Sequence, residues 1–160
     1  MDALTLLEQD HQKVKKVMGE LDKTTERGVK TREELFNKLV DELTIHEKIE
    51  EQIFYPAVKE RADSKKLEEV VLESYEEHHF VDIIKAEIEG TPFDSEEWAA
   101  KFKVMKENIE HHAFEEEEGE MFPKVRRIFK KDELEEMGTR MEELKTQLME
   151  QLPAEETAGA

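Results

Sequence analysis

Six residues in this chain have the types and the spacing of a metal site, and they come in two copies. His11 stands alone in the first copy and is followed by His46 and Glu50. His78 stands alone in the second and is followed by His112 and Glu116. His11 and His78 are 67 residues apart, His46 and His112 are 66 apart, and so are Glu50 and Glu116. Pro56 and Pro123 close the copies, again 67 apart. Four imidazoles and two carboxylates that converge this way describe a place for two metal ions, and nitrogen and oxygen ligands without sulfur suit iron, manganese or zinc. A histidine and a glutamate at i and i+4 share one helix face, about 6 Å apart along the axis. A glutamate can bridge two ions about 3–4 Å apart, so Glu50 and Glu116 are the expected bridges. Buried without a cation, each carboxylate would be strongly destabilising.

The apolar residues around these positions test the repeat. Leu43, Leu39 and Phe36 precede His46 by three, seven and ten residues, and Ile109, Met105 and Phe102 do the same for His112. Val14, Val17 and Leu21 follow His11 as Val81, Ile84 and Ile88 follow His78. A single histidine on an apolar face is more often a hydrogen-bonded core residue than a ligand. The shared register is what raises all six together above that reading. Each second-copy histidine has a neighbour, His79 and His111. A register through His79 would put Asp82 and Lys85 on the apolar stripe, and one through His111 would put Asn108, Val104 and Lys101 there, so His78 and His112 fit better. His111 with Glu115 is kept as the alternative pair. The run from Glu115 to Gly119 holds one residue more than the first copy, which a π-bulge would absorb.

The elements that must position these residues read as helices throughout. The first spans about 2–25, with Leu4, Leu7, Val14, Val17 and Leu21 on one face. Thr31 with Glu34 resembles a capping box that opens the second helix. Pro56 is expected to kink that helix or shift its register. Ser64 caps a third helix that reaches Glu89, Gly90-Thr91-Pro92 breaks the chain, and Asp94 or Ser95 caps a fourth, in which Pro123 repeats the kink. Short links make sequential helices antiparallel, so the fold class is all-α: an up-and-down four-helix bundle with an additional C-terminal helix. Residues 1–130 form the bundle, 131–152 an amphipathic helix starting at Asp132, and 153–160 a disordered tail. The Leu134, Met137, Met141, Leu144, Leu148 and Leu152 stripe must cover the bundle flank or a second subunit, so a homodimer or protein partner through this helix is an expectation.

Composition narrows the function. The 160 residues carry a formal net charge of −18, and 41% are charged. Such a surface repels nucleic-acid phosphates and anionic membranes and attracts cations. With no cysteine, disulfides, thiolate ligands and cysteine nucleophiles are excluded. No apolar stretch approaches a membrane span and no N-terminal signal pattern is present, so a cytoplasmic location is expected.

His46-Glu47-Lys48-Ile49-Glu50-Glu51 through Phe54-Tyr55-Pro56, Glu76-Glu77-His78, and His111-His112 through Glu116 to Pro123 resemble the hemerythrin-like (HHE cation-binding) family over about residues 4–127. The resemblance implies a four-helix bundle with a solvent-bridged pair of non-heme iron ions that meets oxygen, peroxide or nitric oxide. By position, His11, His46, Glu50, His78, His112 and Glu116 would be its ligands. Oxygen-carrying hemerythrins have a His-xxx-His pair in the fourth helix, where this chain has a glutamate. A carboxylate favours oxidised metal, so the pattern looks closer to members that handle iron, peroxide or nitrosative stress than to reversible carriers. The first functional reading is therefore a di-iron protein that reacts with a small oxidant, with peroxide- or nitric-oxide-processing activity as the enzymatic form. The alternative is a metal- or oxygen-sensing or iron-storage module without turnover. Tyr55 and Tyr75 are candidate hydrogen-bonding or redox groups beside the metals.

Overall fold

The structure is a computed structural model, and it describes residues 1–152; the tail expected at 153–160 lies outside the described residues. Its elements in chain order are α1 (Ala3–Asp22), α2 (Val29–Ile49), a π-helical segment (Glu50–Phe54), α3 (Tyr55–Arg61), α4 (Lys65–Glu89), α5 (Glu96–Glu110), a second π-helical segment (His111–Met121), α6 (Phe122–Ile128) and α7 (Lys131–Glu150). The α2–α3 and α5–α6 runs are continuous through their π-helical segments, so the bundle is four long rods: two antiparallel hairpins, α1 with α2 and α4 with α5, closed by α7. Every described regular element is helical, as the composition implied.

Local chemistry explains the ends. The Asp2, Ser64 and Ser95 side chains accept from the backbone N–H of Thr5, Leu67 and Trp98, satisfying donors that the first turn of a helix leaves open. Thr31 does not start the second helix. The Arg32 N–H already bonds the Gly28 carbonyl at 2.9 Å, so Gly28 is the cap and Thr31 lies inside the first turn. The buried Arg32 guanidinium holds that start in place: it donates to the Phe93 carbonyl, the Thr24 carbonyl and the Thr24 hydroxyl, and stacks over Trp98 at 4.6 Å. The last helix begins one residue before Asp132, at Lys131, where the Glu133 carboxylate accepts from the Lys130 N–H.

Each π-helical segment ends just before a proline turn, Tyr55-Pro56 or Phe122-Pro123. Proline has no N–H to donate and its ring crowds the carbonyl a turn back; widening that turn relieves the crowding and lets the helix continue. The expected kinks are thus register shifts.

Two apolar clusters fill the bundle. One gathers Leu4, Leu7, Ile49, Phe54, Val71 and Phe122 with the α7 residues Leu134, Met137 and Met141. The other gathers Val14, Leu21, Phe36, Leu39, Trp98 and Met105. His11, His46, His78 and His112 each lie between a residue of one cluster and a residue of the other, forming a polar layer across the bundle. The α7 stripe is spent on its own chain's flank, against α1 and α2. Gly138 makes that fit close: a Cβ built there would collide with the Met1 carbonyl and stand 2.9 Å from the Ala3 nitrogen. Among the described residues, no helix is long and apolar enough to cross a membrane.

Candidate metal centre

Four histidines, one from each rod, meet in the polar layer. The His11 and His46 rings lie 5.0 Å apart, edge to face, and the His78 and His112 rings lie 4.9 Å apart in the same manner. Two carboxylates with no exposed surface stand between these pairs. Glu50 Oε1 is 3.2 Å from His46 Nε2 and 3.1 Å from His78 Nε2. Glu117 Oε1 is 3.1 Å from His11 Nε2 and 3.5 Å from His112 Nε2. Each carboxylate therefore spans both histidine pairs, as a bridge between two cations must.

Five of the six residues expected from the sequence meet here: His11, His46, Glu50, His78 and His112. Glu116 does not. It is half-buried outside the layer, with Oε1 2.8 Å from the exposed His111. Burial and the neighbouring Glu77 push its pKa up to about 7. Glu117 takes its place because residues 111–121 are π-helical: with i→i+5 bonding, the residue five after His112 returns to the histidine's face. A signal for this was present in the chain, since Glu50 to Glu117 is the same 67-residue step as Pro56 to Pro123. His111 bonds Glu115 at 2.6 Å on the exposed side, and His79 is exposed, so neither enters the layer.

Sequence reasoning missed the carboxylates behind the histidines. His46 Nδ1 faces Asp10 at 3.0 Å and His112 Nδ1 faces Glu77 at 2.8 Å, each within its own hairpin. His11 Nδ1 faces Glu118 at 2.6 Å and His78 Nδ1 faces Glu51 at 3.1 Å, each across hairpins. These acids obey the repeat too: Asp10 and Glu77 precede the lone histidines, and Glu51 and Glu118 follow the spanning glutamates. A carboxylate accepting from Nδ1–H fixes the tautomer and leaves the Nε2 lone pair aimed inward, as in carboxylate–histidine–metal triads.

The repeat breaks at one pair. Tyr55 and Phe122 occupy equivalent positions. The Tyr55 hydroxyl donates to Glu117 Oε2 at 2.6 Å and lies 3.3 Å from His78 Nε2 and 3.2 Å from His112 Nε2. Phe122 stacks instead on His11, with ring centroids 6.1 Å apart. One histidine pair therefore has a phenol beside it and the other a hydrocarbon ring. Tyr75 packs against Tyr55 from outside.

The electrostatics fit a cation site. Burial opposes charge on His11 and His78, yet Glu117 and Glu118 hold the pKa of His11 up to about 9, and Glu50 and Glu51 hold that of His78 up to about 10. Burial likewise opposes charge on His46, and Glu50 and Asp10 outweigh it, raising its pKa well above normal. Burial pushes His112 down. Burial and the adjacent Glu50 raise Glu117. Protons thus stand where cations would. They stand imperfectly: His46 Nε2 and both Glu50 oxygens are buried without a well-aligned hydrogen bond, although Glu50 Oε1 lies 3.1–3.2 Å from two imidazole nitrogens. Lone pairs that converge on a common point, and do not point at one another's protons, are what metal ligands present. Grouped by mutual distance, His11, His46, Glu50 and Glu117 form one set of donors and Glu50, His78 and His112 another.

Beside these donors lies a partly open cavity of ≈ 30 Å³, walled by the four histidines and by apolar side chains including Val14, Leu43, Val81 and Ile109.

No curated protein matches the chain. Among solved structures, it resembles the crystal structure of a hemerythrin HHE cation binding domain-containing protein from Mycobacterium kansasii, with a TM-score of 0.80 and 25% identity over 99% of this chain and 96% of that one. The hemerythrin HHE cation binding domain matches residues 2–125, the span that supplies every donor above, and the chain belongs to that family.

Proposed function

We propose that this protein holds two non-heme iron ions and uses them to react with, or to sense, a small oxidant: oxygen, peroxide or nitric oxide. The observation that carries this reading is the cavity beside the donors. At ≈ 30 Å³ it has room for about two water-sized guests, the scale of oxygen, peroxide or nitric oxide.

His11 and His46 would hold one ion, His78 and His112 the other, with Glu50 and Glu117 spanning them. Iron supplies redox chemistry and exchangeable coordination positions. The chain supplies the rest. Asp10, Glu77, Glu118 and Glu51 orient the imidazoles. Val14, Leu43, Val81 and Ile109 keep bulk water and larger reductants away. Tyr55 keeps its proton, because burial and Glu117 raise its pKa well above the phenolic value, and so offers a donor beside one histidine pair. Glu117 gives the centre a second carboxylate beside Glu50, and that negative charge favours oxidised metal over reversible carriage.

The test is anaerobic loading with ferrous iron, then separate exposure to oxygen, hydrogen peroxide and nitric oxide while the optical spectrum is recorded. About two iron per chain and a spectral response to at least one oxidant are expected. Iron content near zero, or loaded protein indifferent to all three, would overturn the reading. Catalytic consumption of peroxide separates the enzyme from the sensor.

A further inference from the structure

The two histidine pairs are equivalent in sequence but not in what backs them. Behind His46, the carboxylate of Asp10 is 5% exposed; its Oδ2 faces the imidazole, and its Oδ1 lies 2.5 Å from Lys145 Nζ of α7. Glu42, one turn before His46 on α2, buries an oxygen without a hydrogen-bond partner in the same neighbourhood and also feels Lys145. Behind His112, the equivalent carboxylate Glu77 clusters with Glu116 and His111. The carboxylate behind one pair therefore meets a lysine anchored on the last helix, whereas the carboxylate behind the other meets a second carboxylate that is itself paired with His111. Lys145 is delivered by the stripe that seats α7: it follows the fully buried Met141 by one turn, and Gly138 lets the helix close on the N-terminus.

We propose that Lys145 is a positioning residue of the metal centre, acting through Asp10 on His46, so that α7 sets the affinity and electronic character of the His11–His46 metal position. The proposal rests on the metal-binding reading above. Asp10 bonded to Nδ1 pushes electron density into the imidazole and aims Nε2. Lys145 holds Asp10 in that pose and draws off part of its charge. Without the ammonium, Asp10 would be a buried carboxylate compensated by His46 alone, and would hold His46 less firmly. The seating of α7 then becomes a route by which events on the protein's outer face reach one metal position and not the other.

The experiment is anaerobic titration of the full chain with cobalt(II), whose visible absorption reports coordination, in the wild type, Lys145→Met, Lys145→Arg, Asp10→Asn and the Asp10→Asn/Lys145→Met double variant. Far-UV circular dichroism checks that each is folded. The wild type should take up two cobalt per chain. Lys145→Met should weaken one of the two by about tenfold, in the range of such outer contacts, and shift its absorption bands, while Lys145→Arg restores both. In the Asp10→Asn background, Lys145→Met should add nothing, because its route is already cut. A Lys145→Met titration superimposable on the wild type, equal weakening of both metals, or full additivity with Asp10→Asn would overturn the proposal and leave the metal site standing. A wild type that binds no cobalt or iron would overturn the metal reading itself and this proposal with it.

Discussion

Glu50 and Glu117 face one another across the histidine layer with matching contacts: each places one carboxylate oxygen within 3.1–3.5 Å of an Nε2 from either hairpin. They sit 67 residues apart, at the step that also separates His11 from His78. The i+4 spacing of His46 to Glu50 and the i+5 spacing of His112 to Glu117 are thus two local solutions to one geometric demand, and the first prediction tests it. Glu117→Ala should lose at least one of two bound metals, while Glu116→Ala should keep both. Metal content by elemental analysis checks this, and the reverse pattern would show that the π-helical register is wrong.

The carboxylates behind the histidines carry a second expectation. Glu77→Gln and Glu118→Gln should each lower metal affinity roughly 10–100-fold, the range for partners that orient a metal-ligating histidine. His79→Ala and His111→Ala, on exposed side chains, should leave it within about twofold. Equal effects from both groups, measured by competition with a chelator, would show that the Nδ1 contacts do not orient ligands.

A third concerns pH and metal removal. His11 and His78 are raised from 6.5 to about 9 and about 10 in the folded, metal-free chain. A group raised in this way stabilises the fold fully below its unfolded value and loses that contribution as pH climbs through the folded one. Glu47, whose pKa burial raises to about 8, works in the same direction. The metal-free protein should therefore melt progressively lower between pH 6.5 and 10. Metal replaces the histidine protons, so loaded protein should melt higher and lose less over that window, and uptake near neutral pH should release protons. Melting curves at three pH values suffice. A metal-free protein that grows more stable with pH would contradict the assignment.

Tyr55 breaks the repeat, and its removal should show it. Tyr55→Phe deprives Glu117 Oε2 of a 2.6 Å hydrogen bond in a fully buried setting. A destabilisation of about 1–3 kcal/mol is expected, with both metals retained and the spectrum of the loaded protein changed. Phe122→Tyr puts a hydroxyl on the other side and should make the two metal positions more alike. Unchanged stability and spectrum in Tyr55→Phe would mean that the phenol is only a packed ring.

The chain by itself determined the class and most of the centre. Good helix formers with few breakers can build only helices, and the apolar residues flanking His46 and His112 put both on one inward face. A doubled pattern of that kind is legible because helical periodicity converts spacing into direction. It failed at Glu116 for the same reason: the i+4 rule assumes α-helical winding, and a widened turn before Pro123 moves the inward carboxylate to Glu117. Asp10, Glu51, Glu77 and Glu118 were lost among 42 acidic residues, since nothing local distinguishes an acid that meets a distant Nδ1 from one that meets water. Lys145 was hidden in the same way, and Tyr55 was legible as a candidate but without its partner. Their partners lie 135 and 62 residues away, at Asp10 and Glu117. Only the packing of rods and of α7 decides which distant groups share a buried layer, because burial is set by what covers a face from outside its own helix.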